Sequence, residues 1–135
     1  MSCRVETGAG AMLASAMVAV VDDDESAREA IVELVRALGY EALGFSSGEN
    51  FLLSDGRRRT ACLITDMRMP NMSGLQLHAE LVAAGTWIPT ILVSAHEDDA
   101  TRIQALNAGM LFYLSKPLDP EELLRCLRAA MGERN

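Results

Sequence analysis

Aromatic, basic and sulfhydryl side chains are all scarce in this sequence. Only 4% of its 135 residues are aromatic, so aliphatic residues and methionine must fill the core. Lysine and arginine total 12 against 19 acidic residues, which leaves a formal net charge of −7. Nucleic-acid-binding surfaces need a basic patch, and the basic run at 57–59 is short and falls in a predicted loop. We therefore expect no direct contact between this chain and nucleic acid.

The three cysteines form neither a CxxC motif nor an even-numbered set. Cys62 lies in an apolar run and Cys126 in a helical pattern, so both are expected to be buried thiols. Free thiols favour a reducing compartment, and we expect a cytoplasmic protein. Long apolar runs are lacking as well, so no membrane-spanning segment is predicted.

One folded domain is predicted, because a chain of this length suits a single hydrophobic core. Residues 1–15 are small and rich in Gly and Ala, so we expect a disordered leader there and the domain at 16–135. Apolar runs alternate with helical patterns, which predicts an α/β fold with a five-stranded parallel sheet and helices on both faces. The predicted strands are 17–21, 41–45, 61–65, 89–93 and 111–114, and the predicted helices are 26–38, 46–53, 73–82, 97–108 and 119–131.

Two local features refine this prediction. Ser73 and Gln76 form a capping box at the start of a helix that carries apolar residues as far as Val82. His78 is expected on the surface of that helix. Residues 55–59, which contain the basic run, are expected to form a solvated loop.

Charged and hydroxyl side chains follow four of the predicted strands. Asp22 and Asp23 follow the first strand, Asp66 the third, Ser94 the fourth and Lys116 the fifth. Because the carboxyl ends of parallel strands share one edge of the sheet, these groups are expected to meet there. Three carboxylates at one place repel each other unless a cation joins them. With no His or Cys cluster nearby, the ligand set favours Mg²⁺, with Mn²⁺ as the alternative.

A carboxylate that shares its site with a metal, a hydroxyl and an ammonium is suited to phosphoryl transfer. Asp66 can attack as a nucleophile and form an acyl phosphate. Lys116 can neutralise charge on the phosphoryl oxygens, and Ser94 can donate a hydrogen bond to them. Ser94 can instead be a simple helix cap, and Asp24 is expected to belong to a helix N-terminus and not to the site.

The same motifs resemble the receiver domain of bacterial two-component response regulators, over residues 17–131. The resemblance is closest to the nitrogen-fixation-regulator-like branch, and it implies a flavodoxin-like fold with strand order 2-1-3-4-5. The motifs are the acidic run at 20–24, the run at 65–70 around Asp66, the loop at 71–74, Val93-Ser94-Ala95, Tyr113, and Ser115-Lys116-Pro117.

The resemblance also implies residue roles and partners. Asp66 would accept a phosphoryl group from a sensor histidine kinase or a histidine phosphotransfer protein. Asp23 would bind Mg²⁺ directly, Asp22 would assist mainly through water, and the backbone carbonyl of Arg68 would be a further ligand. The Lys116–Pro117 bond would be cis, which would aim the ammonium at the phosphate.

A conformational switch is implied as well. Ser94 would move towards the phosphoryl group, and Tyr113 would rotate from an exposed to a buried position. The surface of the last two helices and the fifth strand would then change, and a phosphorylation-dependent homodimer is one outcome that the sequence leaves open. On the residues alone, Tyr113 is equally an ordinary half-buried aromatic, and His96 is expected in a solvated loop.

Two other functions use the same residues. A Mg²⁺-dependent phosphatase of the haloacid-dehalogenase type forms the same aspartyl phosphate, but it needs an acid where this chain has Arg68. A receiver-shaped interaction module would not be phosphorylated at all. We expect a signal receiver that catalyses only its own phosphorylation and dephosphorylation, and not an enzyme with turnover on a small substrate.

Overall fold

Five strands and six helices alternate along the residues that this computed structural model describes, 16–96 and 98–132. The leader predicted at 1–15 and Glu97 lie outside the described residues. The elements are β1 (Met17–Val21), α1 (Glu25–Ala37), β2 (Glu41–Phe45), α2 (Gly48–Leu53), α3 (Gly56–Arg59), β3 (Thr60–Asp66), α4 (Gly74–Ala83), β4 (Thr90–Ser94), α5 (Asp99–Asn107), β5 (Phe112–Ser115) and α6 (Pro120–Ala130).

The sheet is entirely parallel, with the strand order β2-β1-β3-β4-β5, which confirms the predicted fold and order. Its register brings the strand ends level. Val21 is paired with Phe45 on one side and with Thr65 on the other, and Ser94 is paired with Ser115. The polar residues that follow the strands therefore start from a common edge.

Both faces of the sheet are covered, because successive strand residues point to opposite sides. Val18 and Val20 of β1 pack in a cluster with α1 and α6. Their neighbour Ala19 packs in a second cluster with Phe51 of α2 and Leu77 of α4. Cys62 and Cys126 are buried in the first cluster, as predicted.

Side-chain caps mark the start of α4 and of α1, as the sequence predicts. The capping box of α4 is complete: Ser73 Oγ accepts the Gln76 N–H at 3.1 Å, and Gln76 Oε1 accepts the Ser73 N–H at 2.8 Å. Asp24 caps α1 by accepting the Ala27 N–H at 2.8 Å, which confirms its assignment to the helix N-terminus. No helix in the described ranges has both the length and the apolar character needed to cross a bilayer.

Two local predictions are wrong. Residues 56–59 form a helical turn, α3, and not a loop; the turn packs its buried Gly56 against the ring of Phe45. On α4, His78 is buried and not on the surface as expected, whereas the apolar Val82 is exposed. The helix is rotated so that Leu77, His78 and Leu81 face the interior.

Candidate functional site

Asp66 is the last residue of β3, and its carboxylate is largely enclosed, with 11% of the side chain exposed. Lys116 Nζ lies 2.9 Å from Oδ1, and the Arg68 N–H donates to Oδ2 at 3.2 Å. Burial raises the pKa of Asp66 above its ordinary value; the Lys116 ammonium acts in the opposite direction, and the charge of Asp22 adds to the rise. A carboxylate in this setting is more basic than one in water.

Lys116 joins two carboxylates that come from different strands. Its Nζ lies 3.0 Å from Oδ2 of Asp22, which follows β1, in addition to the contact with Asp66. The other oxygen of Asp22 accepts the Asp24 N–H at 3.0 Å. Burial opposes the charge on Lys116, but its hydrogen bonds to Asp66 and Asp22 outweigh that effect and raise the pKa of the ammonium. The lysine is therefore held in its charged form.

Three carboxylates are close enough together to share a metal ion. One oxygen each from Asp22, Asp23 and Asp66 lies within 4.8 Å of the other two. Asp22 is buried and Asp23 is exposed, so the group is open to solvent on one side. An all-oxygen set on one exposed edge fits a hard divalent cation that keeps several waters, as Mg²⁺ does.

A small cavity lies against Asp66 on the side of Lys116. Its volume of about 140 Å³ is several times the roughly 30 Å³ that one water molecule takes in the liquid. A group larger than water can therefore sit against the carboxylate. The cavity is lined by Asp66, Arg68, Ser94, Ala95, His96 and Lys116.

Ser94 and Tyr113 share one hydrogen-bond acceptor. Ser94 Oγ donates to the carbonyl of His96 at 2.9 Å and accepts the His96 N–H at 3.2 Å. Tyr113 Oη donates to the same carbonyl, also at 2.9 Å. His96 itself is exposed, as expected of a loop residue. The loop after β4 thus connects the cavity beside Asp66 to the aromatic ring on β5.

The backbone around the site has two features of note. The Lys116–Pro117 peptide bond is cis. Gly74, at the start of α4, lies directly under Asp66, because a Cβ there would come within 2.5 Å of the Asp66 carbonyl oxygen. Sequence reasoning placed Gly74 only within the loop motif at 71–74 and did not predict this close approach.

All the side chains predicted for the site lie on one edge of the sheet. The side chain of Arg68 is exposed and lines the cavity, whereas its predicted role concerned the backbone carbonyl. Residues 18–128 match the family model of the response regulator receiver domain. The chain belongs to this family. The predicted resemblance is thus confirmed at the level of the receiver-domain family.

Relatives of this receiver domain include longer regulators. Response regulator protein TodT of Pseudomonas putida is 39% identical, over 87% of this chain and 52% of that protein. Transcriptional regulatory protein FixJ of Azorhizobium caulinodans is 33% identical, over 85% of this chain and 54% of that protein. The receiver domain described here spans about half the length of these relatives.

A solved structure has the same architecture. The crystal structure of a response regulator receiver protein from Burkholderia phymatum is 38% identical, with a TM-score of 0.75. The match covers 87% of this chain and 96% of that chain. Receiver-domain architecture therefore accounts for the whole described sheet.

Proposed function

We propose that this receiver domain accepts a phosphoryl group on Asp66 from a phosphohistidine of a sensor kinase or phosphotransfer protein. The observation that carries the proposal is the placement of Lys116, 2.9 Å from Asp66 and 3.0 Å from Asp22, beside a cavity that opens onto Asp66. Lys116 is a half-buried cation that joins two carboxylates, and it can also bind an incoming dianionic phosphoryl group. Its ammonium can then contact the phosphoryl oxygens without leaving the site.

The chemistry follows from the geometry. A carboxylate oxygen of Asp66 attacks phosphorus, an O–P bond forms, and the P–N bond of the phosphohistidine breaks with its electron pair going to the imidazole. Burial raises the pKa of Asp66, which makes it a better nucleophile than a solvated carboxylate. Lys116 balances the negative charge on the transferred group, and Ser94 offers a hydroxyl from the lining of the same cavity.

Mg²⁺ fits the carboxylate group described above, with Mn²⁺ as a substitute of the same ligand preference. Asp22, Asp23, Asp66 and the backbone carbonyl of Arg68 would hold it. When bound, the metal neutralises charge on the phosphoryl oxygens and on the acyl phosphate.

Phosphorylation is proposed to act on the loop after β4. When Ser94 Oγ turns to the phosphoryl group, the carbonyl of His96 keeps Tyr113 as its donor. The position of the loop then depends on Tyr113, and the surface formed by α5, β5 and α6 changes with it. On α5, Ile103 and Leu106 are exposed apolar residues, which suits this surface to a partner or to a second copy of the phosphorylated chain.

An apolar groove beside the site suits the phosphodonor. Its volume is about 460 Å³, and it lies between α1 and the segment that follows Lys116. An amphipathic helix that carries a phosphohistidine can pack there and reach Asp66 across Lys116. The groove is lined by Ala27, Ala30, Ile31, Leu34, Lys116, Pro117 and Leu118.

The absence of direct nucleic-acid contact stays a prediction for this chain. FixJ is named a transcriptional regulatory protein, and the present chain spans 54% of its length. The family match supports a signal receiver. The residue two places after Asp66 is Arg68, which cannot protonate a leaving group, and this disfavours a phosphatase of the haloacid-dehalogenase type.

Phosphoryl uptake tests the proposal directly. Wild-type protein with Mg²⁺ and acetyl phosphate, or with a phosphorylated histidine kinase, should gain an acid-stable, alkali-labile phosphoryl group. Asp66→Asn should gain none, because an amide is not a nucleophile. Asp55→Asn is the matched control, since Asp55 is exposed and its side chain caps nothing. Equal labelling of Asp66→Asn and wild type, or no labelling of folded wild type by any donor, would refute the assignment.

A further inference from the structure

Arg28, in the first turns of α1, makes a contact that the proposed chemistry does not use. Its Nη1 donates to the backbone carbonyl of Asp22 at 2.8 Å. The side chain is half-buried, and its methylene groups lie across Gly44 of β2. A Cβ at position 44 would come within 3.0 Å of both Cγ and Cδ of Arg28. A glycine in the edge strand thus provides the space through which the arginine reaches Asp22.

Each polar group of Asp22 is hydrogen-bonded to a different residue of the fold. Its N–H donates to the Phe45 carbonyl at 3.1 Å, and its two carboxylate oxygens accept from Asp24 and Lys116. Arg28 supplies the donor for the remaining group, the carbonyl. Since Asp22 is 1% exposed, a lost donor there is poorly replaced by water.

We propose that Arg28 is a positioning residue for the metal site: it fixes the turn after β1 so that the carboxylate of Asp22 stays on the same side as Asp23 and Asp66. The inference rests on the proposed Mg²⁺ site. Gly44 contributes to the same positioning, because a larger residue at that site would displace the arginine. Arg28 touches neither of the other two carboxylates and acts only through the backbone of Asp22.

The charge of Arg28 and its proposed positioning role predict opposite effects of the substitution Arg28→Met on Mg²⁺ affinity. Arg28→Met keeps the methylene stem over Gly44 but removes the positive charge and the donor. The lost charge alone would strengthen the binding of a cation to the acidic cluster. Loss of the correct position of Asp22 would instead weaken cation binding, by about tenfold in Kd if Arg28 acts like other groups that orient metal ligands.

α1 itself offers a matched control. Arg36 Nη2 donates to the carbonyl of Ala42 at 2.8 Å, the same kind of bond with the same length, but at the opposite end of the sheet. Arg36→Met therefore removes one charge and one guanidinium–carbonyl bond from the same helix without touching the site. We expect it to bind Mg²⁺ within twofold of wild type.

In the experiment, each variant of the whole chain is titrated with Mg²⁺ alone, and binding is monitored through the amide NMR signals. Arg28→Met should show a Kd about tenfold higher than wild type, Gly44→Ala a smaller increase, and Arg36→Met no change. The rate of phosphorylation by acetyl phosphate should recover in Arg28→Met at saturating Mg²⁺, with only the half-maximal Mg²⁺ concentration raised. In EDTA, the Asp24 amide, which donates to the Asp22 carboxylate, should exchange faster in Arg28→Met, and to a smaller extent in Gly44→Ala, than in wild type or Arg36→Met.

The opposite results would overturn the inference. Unchanged or tighter Mg²⁺ binding in Arg28→Met shows that the contact does not place Asp22, and equal weakening in Arg36→Met shows a general effect on α1. If Arg28→Met fails to fold, a wild-type affinity of Gly44→Ala for Mg²⁺ would contradict the inference about Arg28. If wild type itself binds no Mg²⁺ and takes up no phosphoryl group, the proposed function fails; the Asp24 amide in EDTA then still decides whether Arg28 positions Asp22.

Discussion

Among single residues, Asp66 is one whose charged form is disfavoured by burial in the folded protein. Burial raises its pKa, so the folded protein binds a proton at Asp66 more tightly than the unfolded chain does. Stability from this residue is therefore fully present below its ordinary pKa of about 3.9 and is lost as pH rises through the raised value. The carboxylate that we propose as the phosphoryl acceptor therefore lowers the stability of the folded protein near neutral pH.

This leads to a prediction for Asp66→Asn. In EDTA near neutral pH, the variant should unfold at a higher temperature or denaturant concentration than wild type, because the amide carries no buried charge. Denaturant titrations of both proteins at pH 7 measure the difference, and Asp55→Asn should match wild type. A marked loss of stability in Asp66→Asn would mean that the Lys116 ion pair outweighs the burial cost.

The burial of His78 predicts a second effect of pH on stability, opposite in sign to that of Asp66. The residue is 3% exposed, its Nε2 is buried without a hydrogen-bond partner in the described part of the chain, and burial lowers its pKa. The unfolded chain then binds the proton more tightly, so stability is complete above about pH 6.5 and falls as pH decreases below it.

His78→Leu should remove that fall, because leucine carries no proton and keeps the buried volume apolar. His96→Gln is the control, since His96 is exposed. Denaturant midpoints measured from pH 7.5 to 5 should be flatter for His78→Leu than for wild type and His96→Gln. Parallel curves for all three proteins would exclude His78 as the source.

At the scale of elements, α5 is the least anchored of the long helices on the described chain. Its only buried residue is Ala105, whereas α6 buries Leu123, Cys126 and Leu127. Few buried apolar contacts mean a low local free energy of opening. The helix that adjoins the shared carbonyl of His96 is thus the one that moves at the lowest cost.

Hydrogen exchange tests this directly. Backbone amides of α5 should exchange at least about tenfold faster than those of α6 in the unphosphorylated protein, through local opening. The comparison is internal, because both helices are in the same sample. Equal protection of the two helices would contradict the prediction.

The elements also show how far sequence reasoning reaches. Strand ends and helix caps such as Asp24 and Ser73 are local signals, and the structure bears them out. The rotation of α4, which buries His78, depends on how the helix packs against the sheet, and apolar spacing within ten residues did not fix it. The Arg28–Asp22 contact escaped prediction because it needs Gly44 on another strand.

For the molecule as a whole, the proposed Mg²⁺ site couples metal binding to folding. A ligand that binds only the folded state stabilises it by about 2.7 kcal/mol at a hundredfold excess over Kd. Mg²⁺ should therefore raise the unfolding midpoint of wild type, and Asp23→Asn should lose most of that rise because it removes an exposed ligand. Thermal melts with and without Mg²⁺ measure the effect, and an equal rise in both proteins would exclude Asp23 as a ligand.

The alignment of the strand ends has a further consequence. Asp66, Lys116 and the acidic pair Asp22 and Asp23 each follow or end a different strand, so they meet only when the ladders β1–β3, β3–β4 and β4–β5 are all in register. A slip of one residue in any strand turns its side chains to the other face. Under the proposed function, correct strand pairing is therefore also a condition for signalling: a copy with one strand out of register would lack a complete acceptor site and could not be phosphorylated.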